Sequence, residues 1–153
     1  MKLSSPEFEN DGFIPEKFTC DGDDINPVLV IQDIPPETRS LALIVDDSDA
    51  ARGSFIHWVV YNIPVTTRIE KNSAPGTQGK NDFGNAGYGG PCPHRGVHHY
   101  HFKVYALDTE LDLKPNAKAP DVEYAMMRHI LDSAVLIGTY QNREERKLAA
   151  SGR

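Results

Sequence analysis

Cysteine is scarce in this 153-residue chain, which has only Cys20 and Cys92. Two are too few for a disulfide scaffold, and neither has a Cys-x-x-Cys partner of the kind used for redox work or zinc. Free thiols are the expected state, with a single bridge between the two as the alternative. Long apolar runs are also missing. No stretch approaches the roughly 20 apolar residues that span a bilayer, and the segment from Met1 to Phe8 has no apolar signal-like region, so a cytoplasmic protein is expected. Positive charge is in deficit: 16 Lys and Arg stand against 22 Asp and Glu, a formal net charge of −6. General nucleic-acid binding and attraction to an anionic membrane both need basic patches, and this balance argues against them. A local basic pocket is compatible with it. Internal repeats and low-complexity segments are absent.

What is abundant is turn chemistry. Twelve glycines and eleven prolines favour short strands over long helices, and 39% apolar with 25% charged residues suits one globular domain over residues 1–153. Strand-like runs follow in order: Val28 to Ile31, then Leu41 to Val45, apolar at every position as expected of a strand covered on both faces, then Phe55 to Pro64. Alternation in the third of these places His57, Val59 and Tyr61 on one face, with His57 inward. Residues 66–96 read as a long loop. From Val97 alternation returns, with His98, Tyr100, Phe102 and Val104 on one face and His99, His101, Lys103 and Tyr105 on the other. Apolar spacing predicts one helix from about Asp121 to Ser133, capped by Asp121. Val135 to Gln141 reads as a closing strand, and residues 142–153 as a charged tail with no core to join.

Chemistry concentrates in Gly87-Tyr88-Gly89-Gly90-Pro91-Cys92-Pro93-His94-Arg95-Gly96, a glycine and proline loop feeding the histidine-rich strand. A second acid-rich segment, Asp46 to Gly53, directly follows a buried strand and reads as a turn. Its simplest state is full solvation, since clustered carboxylates repel. A pocket rim shared with His57 and His98 is the sharper reading. Metal binding by the cluster Cys92, His94, His98, His99 and His101 is a rival, because imidazole and thiolate are common zinc ligands. His99 and His101 share a face, yet no Glu and His stand at matching downstream strand positions, so no metal or cofactor is expected. Ser48 and Ser54 lie near His57 without a nucleophile elbow, and Cys92 would be reactive only with a lowered pKa.

Several ordered motifs together resemble the phosphatidylethanolamine-binding protein family, also called the Raf-kinase-inhibitor-protein family, in its bacterial and archaeal branch. They are Phe18-Thr19-Cys20-Asp21-Gly22 with Asn26-Pro27, Asp46 to Gly53, Phe55 to Pro64, Asn81-Asp82-Phe83-Gly84, Gly87 to Pro93 and Gly96 to Phe102. The resemblance implies a mainly β fold, a Greek-key β-sandwich of two antiparallel sheets with one peripheral C-terminal helix. It implies a non-enzymatic module with a small-anion pocket for phosphate or phosphoethanolamine headgroups. The pocket is carried over to Asp47, Asp49, His57, Pro91, His98 and Tyr100, with amides of Gly89 and Gly90 as donors and a cis Gly90-Pro91 bond. A homodimer and a kinase or protease partner are further implications; a metal-dependent enzyme using the 92–101 cluster is the alternative. Three departures stand out. Ser48 and Ala51 replace prolines, His99 replaces an arginine and removes an expected Arg–carboxylate pair, and Asn26-Pro27-Val28 replaces a Ser-Pro-Pro run.

Overall fold

The computed structural model of the protein describes residues 1–151. Strands β1 (Lys2–Ser4), β2 (Gly12–Phe13), β3 (Leu29–Gln32), β4 (Ser40–Asp47), β5 (Phe55–Ile63), β6 (Arg68–Ile69), β7 (Thr77–Gln78), β8 (His98–Leu107) and β9 (Ile130–Tyr140) carry the fold, with helices α1 (Ala119–Met126) and α2 (Arg143–Ser151). They form a three-stranded sheet, order β1-β3-β6, and a six-stranded sheet, order β2-β9-β8-β4-β5-β7. All strand pairs are antiparallel except β2 with β9, which runs parallel. This is the mainly β sandwich that the sequence motifs imply.

β4 is buried at every residue because apolar layers cover both of its faces. Leu41, Leu43 and Val45 join Trp58, Val60, Phe102 and Val104 in a core shared with Leu29 and Ile31 of the small sheet. Ala42 and Ile44 face the opposite way and join Val59, Tyr61, Val122 and Met126 under α1. Continuous apolar sequence is what such a doubly covered strand requires.

The expected helix at 121–133 is shorter and earlier. α1 starts at Ala119, and the carboxylate of Asp121 accepts the Lys118 N–H at 3.0 Å from the helix's third position. It ends because Arg128 takes φ 69°, a left-handed stop. Ile130 and Ser133, which matched helical spacing, belong instead to β9, whose ladder with β8 runs from His98–Tyr140 to Leu107–Ile130. A long ladder of main-chain hydrogen bonds outweighs one extra helical turn.

Residues 66–96 contain β6 and β7 but are otherwise loop, as expected. The charged tail is not structureless: its described part forms α2, and residues 152–153 lie outside the described residues. α2 buries no residue, but polar contacts hold it. Asp21 Oδ2 accepts the Tyr140 hydroxyl at 2.6 Å and the Arg143 N–H at 3.0 Å. The Arg146 guanidinium lies 5.0 Å from the Phe13 ring centre and 5.3 Å from that of Tyr140. The Tyr140 hydroxyl, with the Arg143 amide and nearby arginine charges, holds the Asp21 carboxyl below the usual range. Asp21→Ala is therefore expected to speed hydrogen exchange of the α2 amides about tenfold while leaving β8 unchanged.

Candidate functional site

The site begins where β4 runs out. Asp46 and Asp47 are its last two residues, 6% and 4% exposed, and not members of a solvated turn. Each buried carboxylate has partners across the sheet because β8 is in register, Asp46 opposite His101 and Asp47 opposite Tyr100. Successive strand residues face opposite ways. Asp46 meets Lys103 Nζ at 2.6 Å and His101 Nδ1 at 3.6 Å on one face. Asp47 bonds His98 Nδ1 at 2.6 Å and accepts the Asp49 N–H at 2.8 Å. Beyond the strand, Asp49 Oδ2 accepts both the backbone N–H and the Nδ1 of His99, each at 2.7 Å. Hydrogen bonding from the His99 side chain is the main cause that lowers the Asp49 carboxyl's pKa. The expected Arg–carboxylate pair is thus replaced in this chain by His99 and Asp49.

His57 is 4% exposed, as alternation predicts, but it does not share a face with Val59 and Tyr61. Opposite β4, Val45 pairs with Trp58 and Asp46 with Ile56, so one extra residue sits in β5 at His57. This bulge turns the imidazole toward β8, where its ring centre lies 5.2 Å from that of Tyr100. His57 Nδ1 donates to the Gly89 carbonyl at 2.7 Å, and the Gly89 N–H donates back to the His57 carbonyl at 3.0 Å. The bonded Nδ1–H leaves Nε2 as the open nitrogen. Burial lowers the pKa of His57, and neighbours such as the Gly89 carbonyl and Asp47 only partly oppose it. His98 lies opposite in character. Its Nδ1 faces Asp47 and its Nε2 faces the Arg95 carbonyl at 3.0 Å, so both nitrogens face acceptors.

Asp47, Asp49, His57, His98 and Tyr100 line one cavity of about 580 Å³. Arg52, Phe55, Phe83, His94 and Arg95 complete much of its wall. Tyr100 is fully buried, and its hydroxyl has no hydrogen-bond partner among the described residues. Burial pushes the phenol well above its ordinary pKa, so it stays a neutral donor.

Gly89, Gly90 and Pro91 behave differently from expectation. None lines this cavity; the two glycines line a neighbouring one of about 260 Å³, and Pro91 is buried. Their amides are not available to a ligand here, since the Gly89 N–H goes to His57 and the Gly90 N–H to Asp24 Oδ1 at 2.8 Å. Gly90 is required for another reason: a Cβ there would overlap the Phe18 carbonyl oxygen and the Asp24 carboxylate. The Gly90-Pro91 bond is trans, as are all described peptide bonds.

The free-thiol expectation is also corrected. Cys20 and Cys92 form a disulfide with Cα atoms 5.4 Å apart. The Cys20 N–H donates to the Pro91 carbonyl at 3.1 Å, which brings the two loops side by side across 72 residues of sequence. A bridged Cys92 is neither a thiolate ligand nor a nucleophile, which takes the sulfur out of both the metal and the hydrolase alternatives. His99 and His101 are each beside a carboxylate, Asp49 and Asp46. Among the described residues no group of three or more His, Cys, Asp or Glu is arranged to hold a metal ion.

Arg52, Arg95, Phe55 and Phe83 are wall residues that the sequence pattern did not assign. All four lie in the motifs or the glycine and proline loop, so their types were visible; their convergence was not.

The sequence model described as phosphatidylethanolamine-binding protein matches residues 4–141. The UPF0098 protein PH1269 of Pyrococcus horikoshii is 48% identical over 154 residues, covering 94% of this chain and 77% of that one. The UPF0098 protein of Aquifex aeolicus is 48% identical over 151 residues, covering 92% and 88%. Among solved structures, the phosphatidylethanolamine-binding protein homologue CT736 of Chlamydia trachomatis has a TM-score of 0.89 at 37% identity, covering 92% of this chain and 97% of that one. The YbcL structure of E. coli, described as a new member of the mammalian PEBP family, has a TM-score of 0.85 at 29% identity, with 93% and 98% covered. Family model, relatives and fold agree over nearly the whole chain, and the chain belongs to the phosphatidylethanolamine-binding protein family.

Proposed function

We propose that the 580 Å³ cavity binds a small phosphate-type anion, free or as a phosphoethanolamine headgroup, and that the protein is a binding module and not an enzyme. The observation that carries this reading is the Tyr100 hydroxyl, a buried donor with no partner in the protein, on the wall of a cavity also lined by Arg52, His94, Arg95 and His98. A buried donor left open costs about 1–3 kcal/mol, and an anion oxygen would recover that cost. Asp47 and Asp49 hold His98 and His99 in place, and their remaining lone pairs suit the ammonium of an ethanolamine group. Phe55 and Phe83 supply apolar walls against which a short linker packs. On this reading the chain acts as one domain in the cytoplasm, as a homodimer, passing anion occupancy to a kinase or protease partner.

The test is titration with phosphate and with O-phosphoethanolamine, followed by NMR of the histidine side chains in the native protein and in His98→Ala. Saturable shifts at His57 and His98 that vanish in the variant are expected; no shift in a folded protein would defeat the reading. Tighter binding of O-phosphoethanolamine than of phosphate would favour the headgroup over the free ion.

Acidity gives a second check. Burial depresses His57, so in the folded protein it is neutral at pH 7 and gains its proton only below the ordinary value near 6.5. A bound anion favours the protonated ring. Affinity for sulfate, whose own charge is constant in this range, is therefore expected to rise as pH falls from 7.5 to 5.5. Without ligand the sign reverses for stability. The His57 contribution is fully present above the unfolded-state value and is lost as pH drops below it, so unfolding in urea becomes easier toward pH 5.

A further inference from the structure

We infer that the Cys20–Cys92 bond is a thiol-exchange site whose opening lowers the anion affinity of the neighbouring cavity, with a low-molecular-weight thiol as the co-reactant. This inference rests on the anion reading of that cavity. Both cysteines are exposed. Cys92 lies in the wall of the 580 Å³ cavity, and both cysteines line the 260 Å³ cavity behind it, so a small thiol has a route to the sulfurs. Exposed bridges are the ones that exchange.

The charge around the two sulfurs differs. Cys20 precedes Asp21, Asp23 and Asp24, whereas Cys92 shares its cavity with the permanently charged Arg52 and Arg95, and the carboxylates there, Asp47 and Asp49, are bonded to His98 and His99. Cationic neighbours stabilise a thiolate, and the more stable thiolate leaves faster. The attacking thiolate therefore bonds to Cys20 Sγ, the S–S bond breaks, and its electron pair leaves on Cys92. A second thiolate then attacks the mixed disulfide and releases Cys20. Two small thiols are oxidised to their disulfide while the protein bridge is reduced to two thiols.

The link to the pocket runs through residues 88–92. Gly89 holds His57 through both its N–H and its carbonyl, and Cys92 lines the same cavity as His57 and Tyr100. Without the covalent bond, this loop is tied to residues 18–24 by Tyr88 Oη to the Phe18 carbonyl, Gly90 N–H to Asp24 and Cys20 N–H to the Pro91 carbonyl. Each is a single hydrogen bond that exchanges with water, weaker than the covalent link it would have to replace. The freed loop spends less time in the binding geometry, and apparent affinity falls with that fraction, by about tenfold if a tenth of the population stays competent.

The experiment uses the full chain, with phosphate titrated against the His57 and His98 resonances. It compares the oxidised protein, the protein reduced with dithiothreitol, and the Cys20→Ser, Cys92→Ser pair; peptide mapping after brief cysteamine treatment locates the mixed disulfide. Expected are a cysteamine adduct on Cys20, an affinity about tenfold lower in both bridge-free forms, and recovery on reoxidation. Should the serine pair not fold, the reduced native chain supplies the same comparison. Equal phosphate affinity with and without the bridge overturns this inference alone, as does the lack of an adduct on Cys20. An oxidised protein that binds no phosphate overturns the anion reading and this inference with it.

Discussion

Removing the bridge, as Cys20→Ser together with Cys92→Ser, is expected to lower unfolding free energy by about 4 kcal/mol. The bond closes a loop between residues separated by 72 positions, and the loss of unfolded-chain entropy on closing a loop of that size corresponds to about that amount. Both cysteines are exposed, so the substitutions empty no core space, and the effect comes mainly from loop closure. Urea unfolding followed by tryptophan fluorescence reads the change, because the single Trp58 is fully buried and bonds Gln78 Oε1 at 2.9 Å. A loss under about 1 kcal/mol would show that the segments 18–24 and 88–92 stay associated in the unfolded chain.

Tyr100→Phe is expected to separate binding from folding. The change deletes one oxygen that has no partner among the described residues, so stability should hold steady or rise. Phosphate affinity, by contrast, should fall about 10- to 100-fold, the value of a hydrogen bond to a charged group. Most buried-tyrosine substitutions weaken fold and function together, so this opposite response marks a hydroxyl kept for a ligand. Unchanged phosphate affinity, measured by calorimetry on the folded variant, would remove Tyr100 from the site.

The sheet core was legible because doubly covered strands leave a continuous apolar signature, as at Leu41 to Val45, and half-covered ones leave alternation, as at His98 to Tyr105. Local pattern failed where one inserted residue or one competing partner decided the outcome. The bulge in β5 reversed the facing of His57 relative to Val59, which alternation cannot register. Asp46 and Asp47 looked like a solvated turn because their partners, Lys103 and His98, lie more than fifty positions away. The helix ending near Met126 was lengthened by apolar residues that serve the β9 ladder. Of the carried-over site residues, those projecting from strands converge on the cavity. Gly89, Gly90 and Pro91 instead shape the loop behind it, their amides and backbone committed to His57, Asp24 and Cys20.

The parallel pairing of β2 with β9 has a consequence for how the protein is made. Gly12 and Phe13 bond to Gly138 and Thr139, and the Met1 amine reaches Asp132 at 2.8 Å. At typical elongation rates these partners emerge from the ribosome on the order of ten seconds apart. During that interval the early strands lack their partners, since β8, which pairs with β4, and β9, which pairs with β8 and β2, are still unmade. Nascent chains stalled before residue 130 are thus expected to recruit chaperones that hold exposed apolar surface, and those released past residue 141 to escape them.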